Sequence, residues 1–298
     1  MMKIAVLMGG ISRERKISLI SGENVLKALK KLGHNVTKVD VTEDFPSRLE
    51  SLRDFDLIFN VLHGVFGEDG RIQAMLDWIG VRYTGSGVLA SSICFNKIAT
   101  YRVVSSDVKY PDFVPIKEPT DKSPFGFPCV IKPVSEGSSI GVHICDTEKD
   151  LMKYSTLELN NYNELILQRY VPGRELTVSI LEQNEEPTAL PVLELKPKRR
   201  FYDYTAKYTP NMTQFIVPAP LTPEEEEQVV ESSLKAFKLC HCHGFARVDG
   251  ILSNGTFHML EINTIPGLTD LSDMPASALA AGMSFEQLIE CIVSSAVS

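Results

Sequence analysis

The stretch RVDGILSNGTFHMLEINTIPG, Arg247 to Gly267, constrains this chain more than any other. Arg247 and Asp249 flank apolar Val248, and Glu261 and Asn263 flank apolar Ile262. Side chains alternate along a strand, so each polar pair shares a face. Ser253-Asn254-Gly255 between them is turn chemistry and predicts a hairpin. Asp249 and Glu261 are twelve positions apart. That even spacing sets them opposite one another only if the loop has an odd residue count or the hairpin carries a bulge. A plain two-residue Asn-Gly turn puts them on opposite faces. With matching faces, one wall carries two carboxylates, an amide and a guanidinium, and the carboxylates and amide oxygen suit a hard cation such as magnesium. With opposite faces, the same residues are ordinary charges on two solvated strands.

The chain has 298 residues, room for two or three subdomains with cores of their own. A net charge of −8 argues against a broad nucleic-acid or anionic-membrane surface, though not against a local basic site for a small phosphate ligand. No apolar run approaches the ~20 residues that span a bilayer. MMKIAVLMGG reads as a first buried strand, not a signal peptide. Six cysteines without framework spacing fit a reduced cytoplasmic protein. LCHCHG, Leu239 to Gly244, has no second Cys/His cluster to complete a tetrahedral site, so it reads as a helix end with buried Cys240 or Cys242.

KIAVLM, a glycine pair and ISLISGENVLKALKKLG predict strand, loop and amphipathic helix, with Gly33 as a C-terminal cap. NVTKVDV and the nearly all-apolar DLIFNVLHG are further strands, GRIQAMLDWIG a helix and VRYTGSG a short strand and turn. Residues 1–95 are therefore a small α/β domain, whose ligands sit beyond the strand ends at Gly9, Gly10 and His63-Gly64. One helix is expected from Ser91 to Ser106, carrying Lys97, followed by PDFVPI, a Pro/Gly-rich linker and the strands CVIKPV, LILQRYV and ELTVSIL. The span from Lys196 to Pro218 lacks clean periodicity and reads as a long functional loop. LTPEEEEQVVESSLKAFKLC is a helix capped by Thr222, with Pro223 at its first position and Glu224 to Glu227 at the positive end of its dipole.

For nucleotide chemistry, the phosphate-loop motif G-x-x-x-x-G-K-[ST] is absent. Gly85, Gly87 and Ala90 in GSGVLA, with Asp107 downstream, match a dinucleotide fingerprint only weakly and read as a tight turn into a helix. The better phosphate site is VIKPVSEGSSIGV, where a strand delivers Lys132 into a loop of small residues. Glycines let backbone N–H groups approach phosphate oxygens, serines add donors and lysine offsets charge.

The order of these parts resembles the ATP-grasp enzymes, and more closely the D-alanine–D-alanine ligase family. VLMGGISRER, HGVFGEDG, YTGSG, EGSSIGV, FYDYTAKY and EINTIPG carry the resemblance over nearly the whole chain. It implies an α/β fold, α+β toward the C-terminal part. A Rossmann-like parallel sheet in 1–95 carries substrate, a central subdomain spans 96–180, and a C-terminal one spans 181–298. ATP lies between the last two, beneath a mobile loop near 201–218. The activity implied joins two D-alanines through a D-alanyl phosphate, for peptidoglycan precursors. ATP and two magnesium ions take part, with manganese able to substitute, in a cytoplasmic homodimer.

The resemblance also assigns roles. Asp249, Glu261 and Asn263 hold magnesium on ATP. Lys97 and Lys132 offset phosphate charge under the loop Gly137-Ser138-Ser139 to Gly141, and Lys207 approaches the transferred phosphate. Gln168, with backbone at Arg169 and Val171, meets adenine, and Glu175 meets the ribose. Glu14 receives the ammonium of the first D-alanine, with His63 nearby, and Ser138 and Tyr208 link it to the two loops. Arg247 and the N–H of Gly267 face the tetrahedral oxyanion, and Ser272 holds the second substrate's carboxylate. Without the resemblance, Glu14 reads as a solvated helix-start residue and Arg247 as a plain salt bridge to Asp249 or Glu261. Gln168 stands where glutamate is usual, and an amide oxygen accepts the adenine N–H without charge assistance. Asp273 stands where an apolar residue is common. A D-alanine–D-lactate ligase, or another carboxylate–amine ligase of the same fold, is the alternative; Tyr208 in YTAKY follows the dipeptide-forming pattern.

Overall fold

The computed structural model describes residues 1–184, 186–199, 209 and 212–297. Strand β1 (Lys3–Gly9) is buried from Ile4 onward and pairs in parallel with β2 (Asn35–Val41) and β3 (Leu57–Asn60). Its alternate residues face opposite sides of the sheet, and both sides are covered. Ile4, Val6 and Met8 pack on Val25 and Leu29 of α1 (Arg15–Lys31). Ala5 and Leu7 pack on Phe45 and Leu52 of a 3-10 segment (Phe45–Asp54) and on Ile72 and Leu76 of α2 (Arg71–Ile79). Gly33 follows α1 in the left-handed region, as a C-terminal stop should. VRYTGSG forms no strand; it makes one parallel bridge, Ile58 to Tyr83.

The single helix expected from Ser91 to Ser106 is two, α3 (Val88–Phe95) and α4 (Lys97–Val104). Asn96 leaves the helical region (φ −106°, ψ 106°), and its side chain accepts a hydrogen bond from the N–H of Ala99. The break makes Lys97 the first residue of α4, where its stem leaves the helix beside the phosphate-loop candidate. GSGVLA is a turn into α3 with Gly87 as its cap, not a dinucleotide site.

A second sheet runs β4-β7-β5-β6, all antiparallel, from β4 (Phe113–Ile116), β5 (Cys129–Pro133), β6 (His143–Cys145) and β7 (Leu165–Arg169). Helix α5 (Glu148–Leu159) covers it and starts in a capping box of Thr147 and Asp150. The third sheet contains β8 (Arg174–Gln183), β9 (Glu186–Ala189), β10 (Leu193–Pro197), β11 (Thr213–Ile216), β12 (Phe245–Ser253) and β13 (Thr256–Asn263). Its order is β11-β10-β8-β12-β13, with β9 on β8. The boundary expected between 180 and 181 therefore falls inside β8, and we take the third subdomain to begin near Arg174. The span expected as one loop has strands at both ends, because Lys196 and Pro197 pair with Gln214 and Thr213. Residues 200–208, 210 and 211 lie outside the described residues, and with them Lys207, Tyr208 and most of the segment expected to be mobile.

Helix α6 (Pro223–Leu239) begins as expected, with Thr222 and Glu225 in a capping box and Pro223 at its first position. Cys240 and Cys242 follow it into the core, so LCHCHG is a helix end. The chain closes with α7 (Asp273–Ala280) and α8 (Phe285–Ser295), bent by 105°. Leu288, Ile289 and Ile292 of α8 join the core that β1 and α1 share. Among the described residues no single helix is long and apolar enough to cross a membrane.

Candidate active site

The hairpin at Arg247 to Gly267 has a two-residue turn and a bulge together. Ser253 pairs with Thr256, and Asn254 (φ 49°) and Gly255 (φ 72°) both take the left-handed backbone of a type I′ turn. The register then shifts between Asp249 and Gly250: Gly250 pairs with Met259, but Asp249 pairs with Glu261. Leu260 is the extra residue. The shift keeps Met259 and Ile262 in the core while turning Glu261 and Asn263 to the face of Asp249 and Arg247. On the other side of β12, Thr177 of β8 stands opposite Asp249, and its hydroxyl donates to Asp249 Oδ1 (2.6 Å).

Charges on this wall are paired. Arg247 donates from Nε and Nη2 to the two oxygens of Asp249 (2.8 and 2.7 Å), and its Nη1 lies 3.3 Å from Asp273 Oδ2. Lys97 Nζ sits 3.1 Å from Glu261 Oε2 and donates to the carbonyl of Glu136 (2.8 Å). Lys132, 5% exposed on β5, has its pKa pulled down to about 7. Burial is the main cause, the charge of Lys97 adds to it, and Glu261 opposes both.

The loop after Lys132 turns back on itself. Ser138 (φ 51°), Ser139 (φ 56°) and Gly141 (φ 71°) all take left-handed backbone. For the serines this costs of order 1–3 kcal/mol each. The Ser138 hydroxyl donates to Glu14 Oε1, and a Cβ on Gly137 would lie 3.0 Å from Glu14 Oε2. Glu14, at the start of α1, is only 6% exposed and is not a solvated helix-start residue. His63, beyond β3, is bracketed by Ser21 Oγ at Nε2 (3.3 Å) and Glu68 Oε1 at Nδ1 (3.3 Å). Burial disfavours its charged form, but Glu68 and Glu14 outweigh this and raise its pKa.

Two cavities meet here. The first, about 820 Å³ with its mouth open to solvent, is lined by Glu14, His63, Gly137, Ser138, Arg247, Asn263, Gly267 and Ser272. The second, about 1000 Å³ with its mouth open to solvent, is lined by Lys132, Ser139, Gln168, Arg169, Val171, Glu175 and Asp249. Lys97, Glu136 and Glu261 line both. Of the described residues given a role by the resemblance, all but Gly141 border one cavity or the other, whereas Gly9, Gly10 and Gly64 border neither. Gln168 donates its amide to Pro111 O (3.2 Å), which fixes the flip, since a carbonyl only accepts; the amide oxygen is then the acceptor. Gly267 abuts Ser272, whose Oγ would be 2.6 Å from a Cβ there and also accepts from Thr269 N (3.1 Å).

Glu68 and Thr177 were not singled out from sequence. Thr177 had a signal: in ELTVSIL, Glu175, Thr177 and Ser179 alternate with buried Leu176, Val178 and Ile180, which marks a polar face. Glu68 had none, since its contact with His63 depends on the path of a loop.

Residues 101–294 match the family described as D-ala D-ala ligase C-terminus, and residues 44–86 match D-ala D-ala ligase N-terminus. The chain is 65% identical over 296 residues to the D-alanine–D-alanine ligase of Pseudothermotoga lettingae, covering 99% of this chain and 100% of that one. It is 57% identical to that of Thermotoga petrophila, covering 99% and 97%. Among solved structures, the Bacillus anthracis D-alanine–D-alanine ligase complexed with ATP aligns with TM-score 0.86 at 29% identity, covering 100% of this chain and 98% of that one. The VanG D-Ala:D-Ser ligase of Enterococcus faecalis aligns with TM-score 0.84 at 26% identity, covering 98% of each. The fold, with its parallel sheet followed by two antiparallel α+β units, is that of the ATP-grasp ligases, and the chain belongs to the D-alanine–D-alanine ligase family.

Proposed function

We propose that this protein joins two D-alanine molecules at the expense of ATP, and that the two cavities divide the work. The observation that carries the reading is the shared border: Lys97, Glu136 and Glu261 line both the polar cavity and the cleft that holds Lys132 and Gln168. A phosphoryl group in the cleft and a carboxylate in the polar cavity would meet there.

The carboxylate oxygen of the first D-alanine attacks the γ-phosphorus of ATP, the bond to the bridging oxygen breaks, and ADP leaves with that electron pair. Positioning and charge stabilisation dominate such a transfer. Lys97 and Lys132 supply positive charge to the phosphates, and the left-handed loop at Ser138 and Ser139 lies over them. Glu14, buried and bonded to Ser138, receives the ammonium of the first D-alanine. Gln168 accepts from the adenine amino group through its amide oxygen. The N–H of Arg169 is committed to Asp112 O (2.8 Å), so the base meets the backbone carbonyl here and not that N–H. Glu175 meets the ribose.

The amine of the second D-alanine then attacks the acyl carbon, and the carbonyl oxygen takes up the electron pair as an oxyanion. Arg247 and the N–H of Gly267 stabilise that charge. The carbonyl re-forms, the carbon–oxygen bond breaks with its electron pair leaving on phosphate, and the attacking nitrogen gives up its proton to that phosphate. Ser272 holds the acceptor's carboxylate. Lys207 keeps its assigned part at the transferred phosphate, and Tyr208 its link between Glu14 and the mobile loop.

Magnesium fits the donor set. Asp249 and Glu261 are two carboxylates directly opposed on one face, and Asn263 lies on the same face with an amide oxygen. These three would hold two ions, or manganese in their place, and the metal would supply positive charge to the phosphate oxygens. Phosphate release from ATP, compared with and without D-alanine and with D-lactate as competing acceptor, tests the reading. Absence of D-alanyl-D-alanine with ATP, magnesium and D-alanine present would refute it.

We further propose a cytoplasmic homodimer joined through the N-terminal subdomain. Trp78 on α2, 81% exposed, supports that face, and sedimentation of Trp78→Glu tests it.

A further inference from the structure

Arg247 is gripped by more than the neighbour on its own strand. Nε and Nη2 take the two oxygens of Asp249 at 2.8 and 2.7 Å, and Nη1 lies 3.3 Å from Oδ2 of Asp273, the first residue of α7. All three guanidinium nitrogens therefore face carboxylates, and the carboxylates come from two separate elements. Asp249 is itself shared, because its Oδ1 also accepts the Thr177 hydroxyl at 2.6 Å. Arg247 and Asp273 are 8% and 4% exposed and border the same polar cavity, beside Ser272. A carboxylate withdrawn so far from water needs a partner, and Arg247 is a cation within ion-pair distance of it.

We propose that Asp273 is a positioning residue for the ligation: it fixes the rotation of the Arg247 guanidinium and ties that plane to the helix following Ser272. The inference rests on the reading of Arg247 as the group facing the oxyanion. A planar fork held along one edge by Asp249 still rocks about the long arginine torsions. A second carboxylate at Nη1 removes that freedom, and a misplacement of ~1 Å at a reacting centre costs on the order of a hundredfold in rate. Because Asp273 and Ser272 are consecutive, a shift of α7 moves the acceptor subsite and the arginine together. The acceptor and the oxyanion contact thereby stay in register.

The test compares Asp273→Ala, Asp273→Asn, Asp273→Leu and Arg247→Lys in the full chain, by steady-state ligation and thermal melting. Asp273→Ala is expected to lower kcat by about tenfold or more while the KM for ATP stays within about twofold. Asp273→Asn keeps an acceptor oxygen without its charge and is expected to fall between Asp273→Ala and the parent. Formate, which fits the volume removed, should restore rate to Asp273→Ala and none to Asp273→Leu. A folded Asp273→Ala with kcat within about twofold of the parent overturns the proposal. So does a loss that formate leaves untouched and that tracks a lowered melting temperature. If Asp273→Ala does not fold, Asp273→Asn decides: parental kcat overturns the proposal, and lowered kcat at parental melting temperature supports it. Arg247→Lys separates the two levels, since parental activity there removes the reading of Arg247 itself. Its inactivity beside a fully active Asp273→Ala removes the present inference alone.

Discussion

Asp249 faces Glu261 across the hairpin because Leu260 has no counterpart on β12, and the carbonyl of that extra residue is bonded from outside the sheet. The hydroxyl of buried Tyr110 donates to Leu260 O at 2.6 Å. Tyr110 therefore pins the bulge that puts both carboxylates on one face. Burial, and then the charge of Glu261, push its phenol pKa up, so the hydroxyl remains a donor throughout the working range. Tyr110→Phe leaves the bulge carbonyl short of that partner, a cost of about 1–3 kcal/mol. Thermal melting should show it, together with a fall in ligation rate. A variant that melts like the parent would mean the bulge needs no anchor.

Glu261 lines both cavities, as Glu136 does, and its carboxylate is the partner of Lys97 at 3.1 Å. Glu261→Gln keeps the shape and removes the charge. Ligation is expected to fall by about a hundredfold or more, since charge at a phosphoryl-transfer centre carries most of the stabilisation. Activity within a few-fold of the parent, over a magnesium titration, would show that the metal lies elsewhere.

Lys132 titrates near 7 in the folded ligand-free protein, against 10.5 for an unperturbed lysine. Between those values the unfolded chain carries the proton and the folded chain does not, so this group makes the free protein more stable as pH rises through the window. Phosphates favour the charged lysine. Binding of ATP at about pH 8 should therefore draw a proton from solution. Calorimetry in buffers of different ionisation enthalpy measures that uptake, which Lys132→Met should abolish. Equal uptake in the two proteins would assign the proton to another group.

Gln168, buried on β7, donates to Pro111 O at 3.2 Å. Gln168→Glu restores the residue usual in the family, yet sets a carboxylate oxygen against that carbonyl. The free protein should lose roughly 1–3 kcal/mol, visible in chemical denaturation. Added ATP should recover part of the loss, because the adenine amino group then bonds a charged acceptor. Equal stability without nucleotide would show that the strand repositions around Pro111.

The parts legible from sequence are those governed by local rules. Alternation exposed the polar faces of β12 and β13, and Thr222 with Pro223 marked the start of α6. The order of the short motifs ties Glu14 to Ser138, 124 positions apart, and the Ser138 hydroxyl does donate to that carboxylate. The rest depended on backbone departures that no periodicity announces. Asn96 breaks what reads as one helix, Leu260 adds a residue to what reads as a plain hairpin, and β8 crosses the expected boundary at 180. Asp273 reads as unusual in sequence, but only the placement of α7 shows that it meets Arg247.

Leu288, Ile289 and Ile292 of the last helix lie against Ile4, Val6 and Met8 of the first strand. On the ribosome the two segments emerge far apart in time, with most of this sequence between them. At about 5–20 residues per second, the first sheet waits on the order of tens of seconds for the helix that completes its cover. Until then one flank of the parallel sheet stays open to water and to whatever binds nascent apolar surface. The first strand is thus made well before its cover is finished.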